Sequence, residues 1–282
     1  MSLLPLDAAS TVDRGSIVLC DTVTTLDASH RDGVLVTGSH GGLIAAYLAA
    51  RGGVRAVIFN DAGGGLDDAG IAGIDWLERF AVAAATVAHT SARIADASDT
   101  YASGVISHAN ALARGVGVRV GQRCQQAAAM LRSVYVSPTA ASVEPPNPEA
   151  RTVLRPADGT VPEIRGLDSI GLVRIDDAGK LLVIGSHGGL HGGRPESATP
   201  VDAAGAVFHD AGRGKDGAWC SRLPVLNGRG IAAATVDYET ARIGDAKSIW
   251  DTGVVSRVND VAATAGWRVG DTVQRALVAQ RR

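Results

Sequence analysis

Gly38-Ser39-His40-Gly41-Gly42-Leu43 and Gly185-Ser186-His187-Gly188-Gly189-Leu190 are the same six residues in the same order, 147 positions apart (185 against 38). The match extends outward from this hexapeptide. At the same spacing Asp21-Thr22-Val23 meets Asp168-Ser169-Ile170, and Val34-Leu35-Val36 meets Leu181-Leu182-Val183. Two extra residues in the second copy then set the spacing to 149 (210 against 61). Phe59-Asn60-Asp61-Ala62-Gly63 now falls on Phe208-His209-Asp210-Ala211-Gly212, and Ala83–Val87 on Ala232–Val236. Ala92-Arg93-Ile94 with Asp96 falls on Ala241-Arg242-Ile243 with Asp245, and Arg119-Val120-Gly121 on Arg268-Val269-Gly270. A single change of spacing over a hundred residues identifies a tandem duplication.

The first copy is assigned to residues 1–127, with its core over 17–127, and the second to 164–282, with its core over 164–276. Residues 128–163 hold six of the ten prolines. Proline fixes φ and disfavours helix in its predecessor, so an extended connector is expected there.

Within each copy, short apolar β-branched runs alternate with alanine-rich stretches. Gly33–Thr37, Arg55–Phe59 and Val82–Val87 read as strands, and Ile17–Cys20 as an edge strand. Leu43–Ala50, Asp68–Arg79 and Ser103–Arg114 read as helices. Strands that are apolar throughout indicate a parallel sheet covered on both faces. The expected fold class is α/β: two tandem Rossmann-like or flavodoxin-like repeats with parallel sheets, related by a pseudo-two-fold axis. The repeated loops would then gather where ligands bind in such sheets, at the carboxyl ends of the strands.

Composition narrows the function classes. Over 282 residues, hydrophobic residues make up 46% and charged residues 20%, and the formal net charge is −2. No basic cluster suggests a nucleic-acid partner, and no uncharged apolar run is long enough for a membrane span. The N-terminus lacks the pattern of a secretory signal, which makes the cytoplasm the expected location. Three scattered cysteines, in no Cys-x-x-Cys pair, suggest neither a disulfide framework nor a zinc knuckle.

Six of the seven histidines lie in or beside the repeated motifs. In the first motif, glycine on either side of Ser-His permits a tight turn. It also brings backbone N–H groups near a ligand, and the following helix start favours an anion. Ser39, His40, Ser186 and His187 supply hydroxyls and near-neutral bases, while Gly41, Gly42, Gly188 and Gly189 supply amides. Because neighbours in a turn point apart, His89 is the expected partner for Ser39. Asp61 and Asp210 follow an apolar strand and suit the orientation of a histidine, general-base work or metal ligation. In the third motif, Arg93 and Arg242 suit bidentate capture of a carboxylate or phosphate, with Ser91, Asp96 and Asp245 beside them; internal Arg–Asp pairing is the alternative. Asn110 and Asn259 are expected to brace the same loops. The copies diverge where His89 becomes Tyr238, Asn60 becomes His209 and His108 becomes Arg257. That divergence suggests an asymmetric site shared between copies, with His209 among its binding groups.

A strand ending in Ser-His-Gly followed by one ending in Ala-Gly resembles the core of caspase-type proteases. Asp61 and Asp210 stand where that chemistry needs cysteine, so the resemblance carries nothing over.

The favoured expectation is an enzyme acting on a small, polar, anionic molecule by hydrolysis of an amide or related C–N bond. Ser39, His40, Asp61, His89, His187 and Asp210 would form its catalytic set. One alternative is a metal-dependent hydrolase or lyase using His40, Asp61 and His89 as ligands. Another is a non-catalytic two-lobed protein that captures a small anion. No dinucleotide or Walker fingerprint calls for a nucleotide cofactor, and a divalent metal stays open. Self-association fits a duplicated unit, though no residue marks it.

Overall fold

The computed structural model describes residues 15–134, 146 and 149–278. The first sheet contains β1 (Ile17–Cys20), β2 (Val34–His40), β3 (Ala56–Asn60), β4 (Ala83–Val87) and β5 (Ile106–Ala109), side by side in chain order. The first four are parallel, with Val34 opposite Ala56 and Ala56 opposite Ala83; β5 turns back antiparallel to β4. In the second sheet β6 (Arg151–Arg155) pairs antiparallel with β7 (Ile164–Leu167). Parallel strands β8 (Leu181–His187), β9 (Gly205–His209) and β10 (Ala232–Val236) follow, with antiparallel β11 (Val255–Val258) at the far edge.

This strand order differs from the Rossmann and flavodoxin orders. Both reverse direction at a switch point, whereas here each parallel strand is laid beside its predecessor. Crossovers of one hand that all advance the same way leave their helices on one face. In the first half that face carries α1 (Leu43–Arg51) and α2 (Gly73–Trp76), whose Ala46, Ala49 and Ile74 pack on Leu35, Val57 and Phe59. After β4 the chain crosses to the opposite face, before the antiparallel β5 is laid down. There α4 (Ala111–Gly115) and α5 (Cys124–Leu131) bury Ala113, Ala127 and Leu131 against Val34, Val36 and Ile58, and α3 (Ala97–Ser103) packs beside α5. Both faces are thus covered, and Val34, Leu35 and Val36 are all fully buried. In the second half α6 (Arg222–Gly228) lies on one face, and α7 (Ala246–Thr252), α8 (Asp260–Thr264) and α9 (Val273–Val278) on the other.

Three sequence expectations need correction here. Ser103–Arg114 is not a helix: α3 stops at Gly104, whose N–H donates to the Thr100 carbonyl. The chain then forms β5, because pairing with the open edge of β4 outweighs local helical preference. Asn110 and Asn259 cap α4 and α8 at the amino ends of the strands. Their Oδ1 atoms accept the N–H groups of Ala84 and Ala233, so they do not brace the rim loops. The proline-rich stretch is not all extended connector either, since α5 runs to Leu131 and residues 151–155 form β6. Residues 135–145, 147 and 148 of that stretch lie outside the described residues.

The two halves join through contacts that recur when their roles are exchanged. The Leu66 N–H donates to the Tyr238 carbonyl (2.9 Å), and the Lys215 N–H, 149 positions later, donates to that of His89 (3.0 Å). Arg242 pairs with Asp67 (2.6 Å), and Arg93 with Asp216 (3.3 Å). At the centre Gly63 (φ +75°) meets Gly212 (φ +82°), and a Cβ on either would come within 3.0 Å of the other's Cα. Only glycine suits both the left-handed backbone and that approach. Ala62 and Ile94 of the first half complete the apolar core of the second.

Candidate functional site

Between the halves lies a cavity of about 470 Å³. The first half contributes Ser39, His40 and Gly42, the start of α1, and Asp67; the second contributes Asp168, Ser186, His187, His191, Arg242, Gly244 and Asp245. Glu149 of the segment before β6 also reaches it. The first motif of one half therefore faces the third motif of the other.

Each strand end shapes its motif in the same way. His40 Nδ1 accepts the Gly42 N–H (3.1 Å), and His187 Nδ1 accepts the Gly189 N–H (3.2 Å). With Nδ1 engaged as an acceptor, the neutral ring carries its proton on Nε2. Neither Nε2 has a partner among the described residues. His187 is only 6% exposed, and its ring stands edge-on to that of His191, with centroids 6.0 Å apart. Burial, reinforced by His209, pushes His40 down to about 4. Burial, then His191 and Arg222, holds His187 well below the usual histidine range. At neutral pH both imidazoles are uncharged N–H donors.

The serines serve the backbone instead. Ser39 Oγ accepts the Val23 N–H (3.1 Å) and Ser186 Oγ that of Ile170 (3.0 Å), tying each loop to the segment after β1 or β7. No described histidine bonds either hydroxyl, so the expected Ser39–His89 pairing is absent.

Asp61, His89 and Asp210 do not line the cavity. Asp61 Oδ1 accepts from the Gly63 and His89 N–H groups and meets His89 Nδ1 at 2.9 Å. Burial raises its proton affinity, but these bonds outweigh burial and leave it below the usual carboxylate range. Asp210, fully buried, accepts from the Tyr238 N–H, and Arg213 Nε lies 3.1 Å from its Oδ2 without hydrogen-bond alignment. Burial pushes it up to about 6, against the opposing pull of Ser256 and Arg213.

The remaining candidates from sequence are structural in their contacts. His209 Nδ1 accepts from Ala211 and its Nε2 donates to the Ala241 carbonyl (3.0 Å each). Asn60 makes the same two bonds, to Ala62 and Ala92, so the histidine is the counterpart of an amide bracket. Gly41 and Gly188 bond the carbonyls of Asn60 and His209. Ser91 ties Ala88 to Val105, while Arg93 is held by Asp96, Asp99 and Asp216, and Asp96 caps α3. Of the third motifs, only that of the second copy, Arg242 to Asp245, lines the cavity. Among the described residues no group of three or more His, Cys, Asp or Glu is disposed to hold a metal ion, so His40, Asp61 and His89 do not form one.

Sequence reasoning missed Asp168 and Glu149, and it counted His191 among the six motif histidines without giving it a place in the site. Asp168 was legible, since Asp21 aligns with it; each accepts the first N–H of a helix distant in the chain, α3 or α7 (Ala97 at 3.0 Å, Ala246 at 2.9 Å). Glu149 has no described counterpart. Burial, then the neighbouring Asp245, raises Asp168; burial, with Ser169 opposing and Asp168 adding, raises Glu149. Four carboxylates thus line the cavity against one guanidinium, Arg242, which is already paired with Asp67.

No protein-family model, curated protein or solved structure matches the chain. Among the described residues no helix is long and apolar enough to cross a membrane.

Proposed function

We propose that the chain is an enzyme with one cavity between two tandem, pseudo-two-fold-related copies, and that it hydrolyses an amide or related C–N bond of a small polar molecule. The observation that carries this reading is the pair His40 and His187. Two neutral imidazoles from the two copies face one cavity, each with Nδ1 fixed by a glycine N–H and Nε2 without a partner among the described residues. Such donors suit a carbonyl oxygen that gains negative charge as it is attacked. Glu149, with its raised proton affinity, is the base in this scheme. It takes a proton from water as the water oxygen bonds to the carbonyl carbon. Returning that proton to the nitrogen lets the C–N bond break, giving a carboxylic acid and an amine. Ser39 is not the nucleophile in this version, because its hydroxyl holds the Val23 amide. The anionic substrate expected from sequence gives way to a neutral or cationic one, because the lining is acidic. Three free cysteines among the described residues fit the cytoplasmic placement we retain.

The test is release of ammonia or amine from a panel of small amides, ureas and cyclic imides by the purified chain. Turnover should fall at least a hundredfold in His187→Asn, on the scale of losing one oxyanion donor. A second reading, capture without chemistry, is favoured by the engagement of both serine hydroxyls. Saturable binding across the panel with no product from any member would establish it.

A further inference from the structure

The duplication supplies an internal control for what the cavity holds. Its counterpart, formed by the second Gly-Ser-His-Gly-Gly motif and the third motif of the first half, is filled by the protein itself. After Gly189 the second copy has no counterpart of α1. Residues 191–194 instead cross to the first half, where the Gly192 N–H donates to the Ala95 carbonyl (2.8 Å). The Arg194 guanidinium there lies 3.6 Å from Asp21 Oδ2. The equivalent positions in the open cavity are Gly244 and Asp168. No described group donates to the Gly244 carbonyl, and no described cation pairs with Asp168.

We infer that the open cavity takes a ligand bearing a guanidinium or alkylammonium group, seated on Asp168 with Glu149 and Asp245 beside it, in the place that Arg194 occupies opposite Asp21. Three features make this more than a group of acids. His187, more than nine-tenths buried, lines the same space with an unpartnered Nε2 and can bind the uncharged end of such a ligand. The chain's own guanidinium occupies the equivalent position in the other half. The one lining guanidinium, Arg242, is committed to Asp67 at 2.6 Å and stands 3.6 Å from Asp245. The start of α1 favours the opposite sign, so an anion is the competing occupant. The inference deepens the reading above and rests on its cavity, but it concerns binding alone and stands whether or not an amide is turned over.

The experiment is calorimetric titration of the full chain at low ionic strength with methylguanidinium chloride, and with methylurea and sodium acetate as uncharged and anionic comparisons. Methylguanidinium should bind at one site at least tenfold tighter than methylurea. Glu149→Gln and Asp168→Asn should each abolish that margin. Asp168 also accepts two backbone N–H groups, so the Glu149 variant decides the matter if Asp168→Asn unfolds. Arg194→Ala should add a second methylguanidinium site, opposite Asp21. Equal binding of methylguanidinium and methylurea, tighter binding of acetate, or a margin that survives Glu149→Gln would overturn the inference. A stoichiometry unchanged in Arg194→Ala would remove the mimicry on which it is built.

Discussion

Replacing Asp210 with asparagine should stabilise the protein at neutral pH, the opposite of what removing a fully buried charge partner usually does. The folded carboxyl is pushed up to about 6 from an ordinary 3.8. That difference corresponds to a penalty of roughly 3 kcal/mol on the charged form. The folded state therefore binds the proton more tightly than the unfolded chain does. Stability is lost as pH rises from about 4 to about 6, and the full penalty persists above that. Asparagine removes the penalty and can still accept the Tyr238 N–H. What it gives up is attraction to Arg213, which is 44% exposed and keeps Asp237 as a partner. That attraction is already contained in the raised value, which is net of Arg213 and Ser256, so the expected gain is roughly 3 kcal/mol. Urea unfolding followed by circular dichroism at pH 7.5 and at pH 4.5 would measure it, and the gain should shrink at the lower pH. Asp61→Asn is the matched control. Its folded carboxyl lies below the ordinary value through the His89 side chain and two N–H groups, so the same substitution should destabilise at pH 7.5. If Asp210→Asn and Asp61→Asn shift stability in the same direction, the electrostatic reading of the two turns is wrong.

Acid should weaken the fold through its histidines. His40, His191 and His209 are each pushed down to about 4 by burial, so the unfolded chain takes up protons first, and stability should fall as pH drops from about 6.5 towards 4; ring-carbon NMR titrations of these three that centre near 6.5 would contradict this. His209→Asn should fold with a loss of about 1 kcal/mol, because Asn60 makes the equivalent bonds. His209→Ala orphans the Ala211 N–H and Ala241 carbonyl and should cost at least about 2 kcal/mol; equal losses in the two variants would refute the bracket role. Gly212→Ala puts a Cβ 2.8 Å from His89 Cδ2 at φ +82°. About 1–2 kcal/mol of backbone strain alone is expected, and calorimetry showing an unchanged Tm would show that the central contact between halves gives way freely.

Local sequence determined a good deal of this molecule. The repeated hexapeptide and the apolar runs were sufficient for the duplication, for most strand positions and for the α/β class, because burial on both faces of a sheet writes itself directly into composition. Ser103–Arg114 was misread because an antiparallel edge is fixed by a partner twenty residues away, a quantity absent from local pattern. The site was half legible. His40 and His187 stood out through their repetition, yet the roles of Asp61, His89 and His209 did not, since a loop residue that brackets backbone looks in sequence like one that binds a ligand. Which loops meet was decided only in three dimensions: docking at Gly63 and Gly212 turns each copy's first motif toward the other's third. The charge of the cavity follows from that docking, which gathers carboxylates from distant segments while spending the nearest arginine on Asp67. One equivalent space is then closed by Arg194, and the other stays open.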